Sequence, residues 1–516
     1  MTDGPFAVGI HKIAVLGCFP LAMVMLMLTG CEVGPRYGRP NVPAPPAYKE
    51  LPPDWTAAQP SDTIARGKWW EIFQDTRLNG LEEQINVSNQ NLKAAEAQYV
   101  QARALVRQNR ADYFPTVTTG LSANRDHQST NRPLFSQATN TYTDIVLPVG
   151  ASYEADVWGR VRRTVEASRA QAQASAADLE GVRLSLHAEL ASDYFQLREL
   201  DAEEQLLSST VTAYQQALDL TENRFKGGVA SAVDVAQAQT QLETTRAQAI
   251  DIGVQRAQYE HAIAVLVGRP ASTFSLAASP LDLAPPMIPA GLPSELLERR
   301  PDVAAAERRV AAANANIGVA KAAYFPNVSL TTSGGFESTT ITNLLSGPSG
   351  FLLAGASAMV TVFDAGRRHA VSDQAQAAYD QSVANYRETV LGASQDVEDN
   401  LAALRILQDE AKTQQAAVTA AEDSLNQSLT RYKGGVTTYL EVITAQGLSL
   451  SDERTAVQIL GRRINASVLL VRALGGGWNS STLPQRPECC GRLVSQANNL
   501  PKEDPKDATA DGASSR

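Results

Sequence analysis

The most constraining feature of this chain is a stretch of sequence that occurs twice, about 207 to 211 residues apart. Three landmarks recur in the same order: ADYFPTV at 111–117 and AAYFPNV at 322–328, WGR at 158–160 and AGR at 365–367, and RFKGGV at 224–229 and RYKGGV at 431–436. Solenoid repeats have periods of about 20 to 50 residues, so each copy here should be half of one molecule. The pattern predicts an internal duplication and a pseudo-symmetric assembly.

The composition favours long helices over a set of ordinary compact domains. The helical stretches are rich in Ala, Gln, Glu, Leu and Arg, and aromatic residues make up only 6% of the 516 residues. The formal net charge is −10, which does not indicate a nucleic-acid partner.

The N-terminus has the pattern of a secretory signal. Lys12 precedes a short apolar run at 13–28, and the run ends in Leu-Thr-Gly-Cys at 28–31. This ending resembles a bacterial lipobox, which implies that Cys31 becomes the lipidated first residue of the mature protein. Glu32 follows it instead of the Asp associated with inner-membrane retention, which favours the outer membrane. An ordinary signal peptide with a chance cysteine is the alternative.

Each copy contains two strand-like stretches separated by a polar loop. The four predicted strands cover 116–125, 143–156, 327–336 and 351–363. Strands of about ten residues are long enough to cross a bilayer when tilted. The smallest membrane barrels need about eight strands, and open sheet edges are not tolerated in lipid. The chain is therefore expected to oligomerise.

Long helices with heptad-like spacing make up the rest of each copy. Rods are predicted at 160–225 and 367–432, return helices at 231–267 and 438–474, and shorter helices before the strands at 76–112 and 302–323. The seam of the first rod includes Glu204 and Phe225 and has a stutter near Leu190. At about 1.5 Å per residue, each rod is about 100 Å long. The predicted fold class is mainly α with membrane β, a coiled-coil α-barrel subunit that carries four transmembrane strands.

These elements divide the chain into six parts: a signal peptide at 1–30, a lipidated extended arm at 31–75, a first repeat at 76–269, a linker at 270–293, a second repeat at 294–478 and a disordered tail at 479–516. The tail contains the adjacent Cys489 and Cys490. Such a pair can form a vicinal or intermolecular bond in an oxidising compartment, but a bystander role in the tail is favoured.

In combination, these motifs resemble the TolC-like outer-membrane efflux proteins, and most closely the OprM/NodT lipoprotein subgroup. The residues that carry the resemblance are the lipobox at Cys31, RPDV at 300–303, AAYFP at 322–326, the two Lys-Gly-Gly turns and the closing GGGW at 475–478. The resemblance covers about 32–480. It implies a homotrimer that forms a twelve-stranded barrel in the outer membrane and a twelve-helix tunnel through the periplasm.

The resemblance also implies a docking surface for a periplasmic adaptor at the turns between rods and return helices. The candidate residues are Arg224, Phe225, Lys226, Gly227, Gly228, Arg431, Tyr432, Lys433, Gly434 and Gly435. In this interpretation the glycines permit close approach and the basic side chains supply charge. The alternative is that these residues only cap the helices, because basic residues suit a helix C-terminus.

A gate is expected where the helix ends converge. In the resembling family two acidic rings lie just past the second turn. Glu441 matches the first ring, Thr444 stands at the second, and Asp234 has the corresponding position in the first copy. The chain therefore keeps one ring and lacks the other. A ring of three carboxylates would attract cations, and a solvated helix face is the alternative explanation of Glu441.

The expected function is passive conduction, as the exit duct of a tripartite resistance-nodulation-division type efflux system. There is no phosphate-binding Gly-x-x-x-x-Gly-Lys motif, so energy must come from an inner-membrane pump reached through the adaptor. No catalytic residue, metal or cofactor is predicted, since the five histidines are scattered and no nucleophile elbow occurs. The alternatives are the duct of a type I protein-secretion system, a structural coiled-coil envelope lipoprotein and, least favoured, an envelope hydrolase. The substrate cannot be read from the sequence.

Overall fold

The computed structural model describes residues 32–42, 47–50, 67–129, 131, 141–288 and 296–484. The predicted signal peptide, Cys31, Cys489 and Cys490 lie outside these ranges. The chain divides into a compact unit that ends at Thr482 and a second unit that begins at Leu483. The predicted disordered tail at 479–516 is described only over 479–484. Its predicted start is wrong, because Ser480–Thr482 form a short 3-10 helix within the first unit, and the rest of the tail lies outside the described residues.

Seven helices of more than one α-helical turn and five strands occur in the described part of the chain. They are α1 Thr76–Ser88, α2 Gln90–Ala111, β1 Thr116–Thr119, β2 Ser122–His127, β3 Thr141–Ala155, α3 Arg160–Lys226, α4 Ala232–Leu266, α5 Pro301–Ala322, β4 Asn327–Ser338, β5 Gly350–Met359, α6 Arg367–Lys433 and α7 Tyr439–Ala473. The lengths match in pairs: 22 residues in α2 and α5, 67 in α3 and α6, and 35 in α4 and α7. The chain is mainly helical, as predicted. None of the described helices combines the length and apolar character needed to cross a membrane.

The predicted single helix at 76–112 is wrong at one point, because Asn89 separates α1 from α2. Asn89 has an extended backbone (φ −64°, ψ 126°) and caps α2, with its side-chain oxygen accepting from the Leu92 N–H at 2.9 Å. Its amide nitrogen donates to the Leu266 carbonyl at 2.8 Å. The helix is therefore interrupted because Asn89 caps the start of α2 and also donates to the last carbonyl of α4.

The strands form one antiparallel sheet in the order β1/β2–β3–β4–β5. The first predicted strand is split into β1 and β2, which both pair with β3. Pro148 of β3 lies opposite the gap and has no N–H to donate, while its carbonyl accepts from the Gly120 N–H at 3.4 Å. The last strand ends at Met359 rather than at the predicted Phe363, and Phe363 is 86% exposed. In the described chain β1/β2 and β5 are edge strands.

The long helices pack along the predicted seams. Most predicted seam positions of α3 are buried, including Leu190, Tyr194 and Leu207. The pattern fails at Glu204, which is exposed, and at Phe225, which is 47% exposed. Glu203 is buried beside Glu204 because it forms an ion pair with Arg454 of α7.

The N-terminal arm begins where the strands meet the helices. The Val33 N–H donates to the Trp158 carbonyl at 3.2 Å. The Trp158 ring stacks on Phe325 at 4.6 Å, and its indole N–H donates to the Pro326 carbonyl at 2.9 Å. The arm then follows α5 and α6, where Glu398 accepts from the Lys49 N–H at 2.8 Å. The arm thereby contacts both halves of the chain, from the junction of strands and helices to the middle of α6.

Candidate functional site

The two turns that join the long helices to their return helices have the same backbone. In the first, the Val229 N–H donates to the Arg224 carbonyl at 2.9 Å, and in the second the Val436 N–H donates to the Arg431 carbonyl at 3.0 Å. These bonds close a Schellman motif, which requires a left-handed residue after the helix. Gly228 (φ +73°) and Gly435 (φ +74°) supply it.

The first glycine of each Gly-Gly pair does not need a left-handed backbone conformation. Gly227 and Gly434 have ordinary negative φ angles of −81° and −74°. A β-carbon on either would meet its nearest neighbours at 3.5 Å, which is normal van der Waals contact. Capping thus explains Gly228 and Gly435 but leaves Gly227 and Gly434 unexplained. Their bare surface is consistent with close approach by a partner.

Arg224 connects the two turns to each other. Its Nη1 donates to the Tyr432 carbonyl at 2.9 Å and to the Lys433 carbonyl at 3.3 Å. Its guanidinium also lies 4.6 Å from the centre of the Tyr432 ring, within the range of a cation–π contact. We call these contacts of Arg224 with Tyr432 and Lys433 the tip clasp. Arg224 therefore donates to carbonyls in the last turn of α6, where the carbonyls lack partners within the helix.

Tyr432 is buried within an aromatic cluster behind the clasp. Only 3% of Tyr432 is exposed, and its ring lies 5.3 Å from that of Tyr439 at the start of α7. The cluster also contains Tyr214 of α3, whose hydroxyl donates to the Gln446 carbonyl at 3.0 Å. Burial raises the pKa of Tyr439 to about 12. Arg224 and Tyr432 therefore hold the two hairpins together, and neither offers a free side chain to a partner.

The remaining candidate docking side chains are exposed at the same end. Lys226 forms an ion pair with Glu222 at 3.7 Å, and 71% of its side chain is exposed. Phe225 is 47% exposed, and Lys433 is exposed. Arg431 forms an ion pair with Glu441 at 3.6 Å, with more than half of its side chain exposed. The turns thus present basic and apolar side chains beside two uncovered glycines.

The three candidate gate residues have different environments. Asp234 forms a capping box with Ser231, accepting from the Ser231 N–H at 2.8 Å, so it has a structural role at the start of α4. Glu441 occupies the matching position of α7 but pairs with Arg431 instead. Thr444 is exposed one turn further on, and its hydroxyl donates to the Leu440 carbonyl at 2.9 Å. Glu441 is thus the candidate whose charge is not used in capping.

Replacing Glu441 by alanine is expected to weaken block by divalent cations and to raise single-channel conductance in planar bilayers. In the predicted trimer the change removes three carboxylates that would attract cations at a narrow aperture. Glu422→Ala, at an exposed position of α6, is the matched control and should leave block unchanged. Equal block in both variants would remove Glu441 from the gate.

The sequence does not predict the tip clasp, although it contains a signal for it. The two turns differ at one aromatic position, where the first copy has Phe225 and the second has Tyr432. Such a difference between copies indicates different environments, and the structure shows one residue exposed and the other buried. Among the described residues, no His, Cys, Asp and Glu side chains form a group that could hold a metal ion.

Comparison with known proteins places the chain among outer-membrane channels. A family model described as "Outer membrane efflux protein" matches twice, over 81–269 and 292–476. The probable efflux pump outer membrane protein TtgC of Pseudomonas putida is 32% identical over 474 residues, which cover 90% of this chain and 96% of that protein. The cation efflux system protein CusC of Escherichia coli is 30% identical over 88% of this chain and 97% of that protein. The solved outer-membrane channel OprN superposes with a TM-score of 0.80 at 32% identity, over 87% of this chain and all of that one.

Proposed function

Because the chain belongs to the outer membrane efflux protein family, we propose that it is the outer-membrane channel of a tripartite efflux system of the resistance-nodulation-division type. It conducts drugs or other small molecules passively from an inner-membrane pump and a periplasmic adaptor to the exterior. The observation that carries this proposal is the pair of 67-residue helices below one open antiparallel sheet. No compact fold needs helices of about 100 Å, whereas a conduit across the periplasm does.

The open sheet favours a closed oligomer, and the family resemblance implies that this oligomer is a homotrimer. The two edges of the sheet, β1/β2 and β5, carry unpaired backbone groups that lipid cannot satisfy. Joining β5 of one chain to β1/β2 of the next removes both edges, and three chains with four strand positions each give a barrel of twelve. The same threefold arrangement brings six helical hairpins around one axis.

If the two halves are copies of one unit, contacts within the chain predict the contacts between chains. Gly318 of α5 lies against the side chain of Arg163 on α3, which would clash with a β-carbon at that position. The equivalent residues, 211 and 207 positions away, are Arg107 on α2 and Ala370 on α6. Both are exposed in the single chain. The arginine is on α3 in the first pair and on α2 in the second, and the small residue is on α5 in the first and on α6 in the second. Helix α2 of one chain can therefore pack on α6 of the next with nearly the same combined side-chain volume.

A second pair of exposed residues supports the same arrangement. Glu199 of α3 lies against Gly461 of α7, and the equivalent residues are Ile406 of α6 and Val254 of α4. Ile406 is 54% exposed and Val254 is 57% exposed in the single chain. Contact between α6 of one chain and α4 of the next would bury both side chains.

The position of the N-terminal arm is consistent with lipidation of Cys31. Val33, two residues later, is bonded to Trp158 at the junction of strands and helices. An acyl chain on Cys31 would therefore start beside the membrane end of the helices and could insert into the inner leaflet of the outer membrane.

The function is tested by purifying the protein from outer membranes and recording currents in planar bilayers. Stable single-channel conductance is expected, together with increased drug susceptibility when the gene is deleted and recovery when it is restored. A tether or an envelope hydrolase would give no conductance at any voltage. Conductance without any change in drug susceptibility, but with loss of a secreted protein, would instead indicate a type I secretion duct.

Reversing the charge of both exposed lysines at the turns is expected to abolish resistance while the channel remains in the membrane. The double variant Lys226→Glu, Lys433→Glu places six acidic side chains on the docking surface of a trimer. A loss of about 1.4 kcal/mol already weakens adaptor binding by about tenfold. The measurements are drug susceptibility, outer-membrane level and adaptor pull-down.

The control for the docking experiment is Lys412→Glu on α6, an exposed lysine that forms an ion pair with Asp409 at 3.4 Å. This variant should bind adaptor normally. Wild-type resistance and adaptor binding in the double lysine variant would refute the assignment of the docking surface.

A further inference from the structure

The crossing of α3 and α7 contains an acid in an unusual position. Glu199 of α3 points at Gly461 of α7, so closely that a β-carbon on Gly461 would overlap its carboxylate. Glycine has no conformational reason to stand at this point, because Gly461 lies inside a regular helix and does not have a positive φ angle. Gly461 thus forms a notch that accommodates the acid of the opposite helix.

Titratable groups flank the notch on α3, α4 and α7, but none of them forms an ion pair with Glu199. Its own helix contributes Glu203, which is paired with Arg454 of α7. The other basic neighbour on α7 is Arg462, which forms an ion pair with Glu410 of α6 at 3.6 Å. The neighbour on α4 is Tyr259. No hydrogen bond or ion pair engages the Glu199 carboxylate within the described residues.

Burial is the main cause of a high affinity of Glu199 for its proton. Desolvation raises the pKa of Glu199 to about 7, and the negative charge of Glu203 adds to the effect. A second acid, Asp193 on the same helix, has a pKa raised to about 6 by burial and by Glu189. Both acids also act on Tyr259, whose pKa is raised by its own burial and by their charges. The notch thus holds its acid in the neutral form under mildly acidic conditions.

We propose that the crossing of α3 and α7 is a pH-sensitive joint, closed when Glu199 is protonated in the Gly461 notch and loosened when its carboxylate is charged. The inference rests on the proposed channel function and adds a regulatory input to it. A neutral carboxyl group fits a half-buried notch, whereas a carboxylate beside Glu203 must recover water. Separation of the two helices would give the carboxylate more access to water.

The direction of the pH effect on the joint follows from the raised pKa of Glu199. A carboxyl group that binds its proton more tightly in the closed state than in the free chain stabilises that state at low pH, and the stabilisation is lost as pH rises through about 7. The helices α3 and α7 meet again below the notch, where Tyr214 is bonded to the Gln446 carbonyl. Loosening of the joint therefore favours separation of the hairpins at the tip, and the channel opens more readily at higher pH.

The equivalent contact between chains carries no such group. The matching residues there are Ile406 and Val254, and neither side chain titrates. The pH-dependent contact thus lies within each protomer, whereas the contact proposed between protomers does not depend on pH.

The test is the open probability of the purified trimer in planar bilayers between about pH 5.5 and about pH 8.5. The ionised fraction of a group with a pKa near 7 rises about tenfold from pH 6 to pH 8, so a several-fold rise in open probability is expected. Glu199→Gln should stay at the low acid level throughout. Glu204→Gln, which removes the same charge from an exposed neighbouring position, should respond as the wild type does.

A second variant keeps the acid and fills the notch. In Gly461→Ala the carboxylate must leave its site for water, so the midpoint of the response is expected to move to lower pH. Native gels should show trimers for every variant tested. An identical pH response in wild type, Glu199→Gln and Gly461→Ala would overturn the proposal, as would a wild type without any response. A wild type that conducts at no pH would instead refute the proposed channel function.

Discussion

Channels in which Arg224 is replaced by alanine are expected to leak, admitting large antibiotics that the wild type excludes. The change removes two hydrogen bonds from the guanidinium to the carbonyls of Tyr432 and Lys433 and the cation–π contact with the Tyr432 ring. These are the contacts of the tip clasp, which ties the end of α3 to the end of α6. Without them the two hairpins of one protomer lose their polar clasp at the tip and keep the apolar and aromatic cluster behind it.

The size of the effect follows from the interactions that the substitution removes. Hydrogen bonds that involve a charged group contribute about 1.5–3 kcal/mol, and an exposed cation–π contact about 0.5–1 kcal/mol. A net loss of about 2 kcal/mol in each chain would shift the local equilibrium toward separation by roughly thirtyfold. In the proposed trimer three such chains would surround the aperture, so the expected result is a large rise in open probability and a marked gain in susceptibility to vancomycin.

A matched control for the clasp exists in the second copy. Arg431 is the equivalent of Arg224, but it is exposed and, within the described residues, forms an ion pair with Glu441 alone, at 3.6 Å. Exposed ion pairs contribute little to stability, so Arg431→Ala should admit large antibiotics no more readily than the wild type does. Equal leakage in the two variants would show that charge at the turn, rather than the clasp, keeps the tip closed.

The helices and their limits can be predicted because their signals are local. Glycine follows both 67-residue helices, proline begins α5 at Pro301, and heptad spacing marks the buried face of α3. These signals depend on neighbours within a few turns. Predicted and observed ends of the long helices therefore agree to within one or two residues.

The features that cannot be predicted depend on residues far apart in sequence. The break at Asn89 depends on the carbonyl of Leu266, 177 positions away. His187 is one of five scattered histidines, but the structure buries it against Glu82 at 2.6 Å and stacks it on Trp70 at 4.4 Å. Burial and the nearby Arg183 charge lower the pKa of His187 to about 4, so it stays neutral and serves packing. Nothing near His187 in the sequence indicates this pair.

The candidate site likewise has some features that the sequence predicts and others that it does not. The sequence of the turns predicts that their glycines end the helices and that a basic surface is exposed around Lys226. It does not predict the different roles of Arg224 and Arg431, because both occupy the same place in nearly identical turns. Tertiary contact decides between them, and the decisive partner of Arg224 lies 208 positions away.

Placing a charge on the proposed contact between chains is expected to abolish assembly. In Val254→Asp a carboxylate would face Ile406 of the neighbouring chain, in a contact that buries both side chains, which are 57% and 54% exposed in the single chain. Burying a charge without a partner costs several kcal/mol, and a trimer contains three such contacts. The expected result is loss of the trimer on native gels and loss of conductance, with the monomer retaining its helical circular-dichroism spectrum.

Residues at equivalent positions of the two halves supply both a control variant and a rescue variant for this experiment. Val265 lies on the same helix and is 68% exposed, but its equivalent, Arg472, is exposed as well, so Val265→Asp should assemble normally. The double variant Val254→Gly, Ile406→Glu gives the contact between chains the same two side chains as the contact between Gly461 and Glu199. This variant is expected to form trimers where Val254→Asp does not. Normal assembly of Val254→Asp would show that neighbouring chains do not meet through α4 and α6. Contacts within one chain could then not be used to predict the contacts between chains.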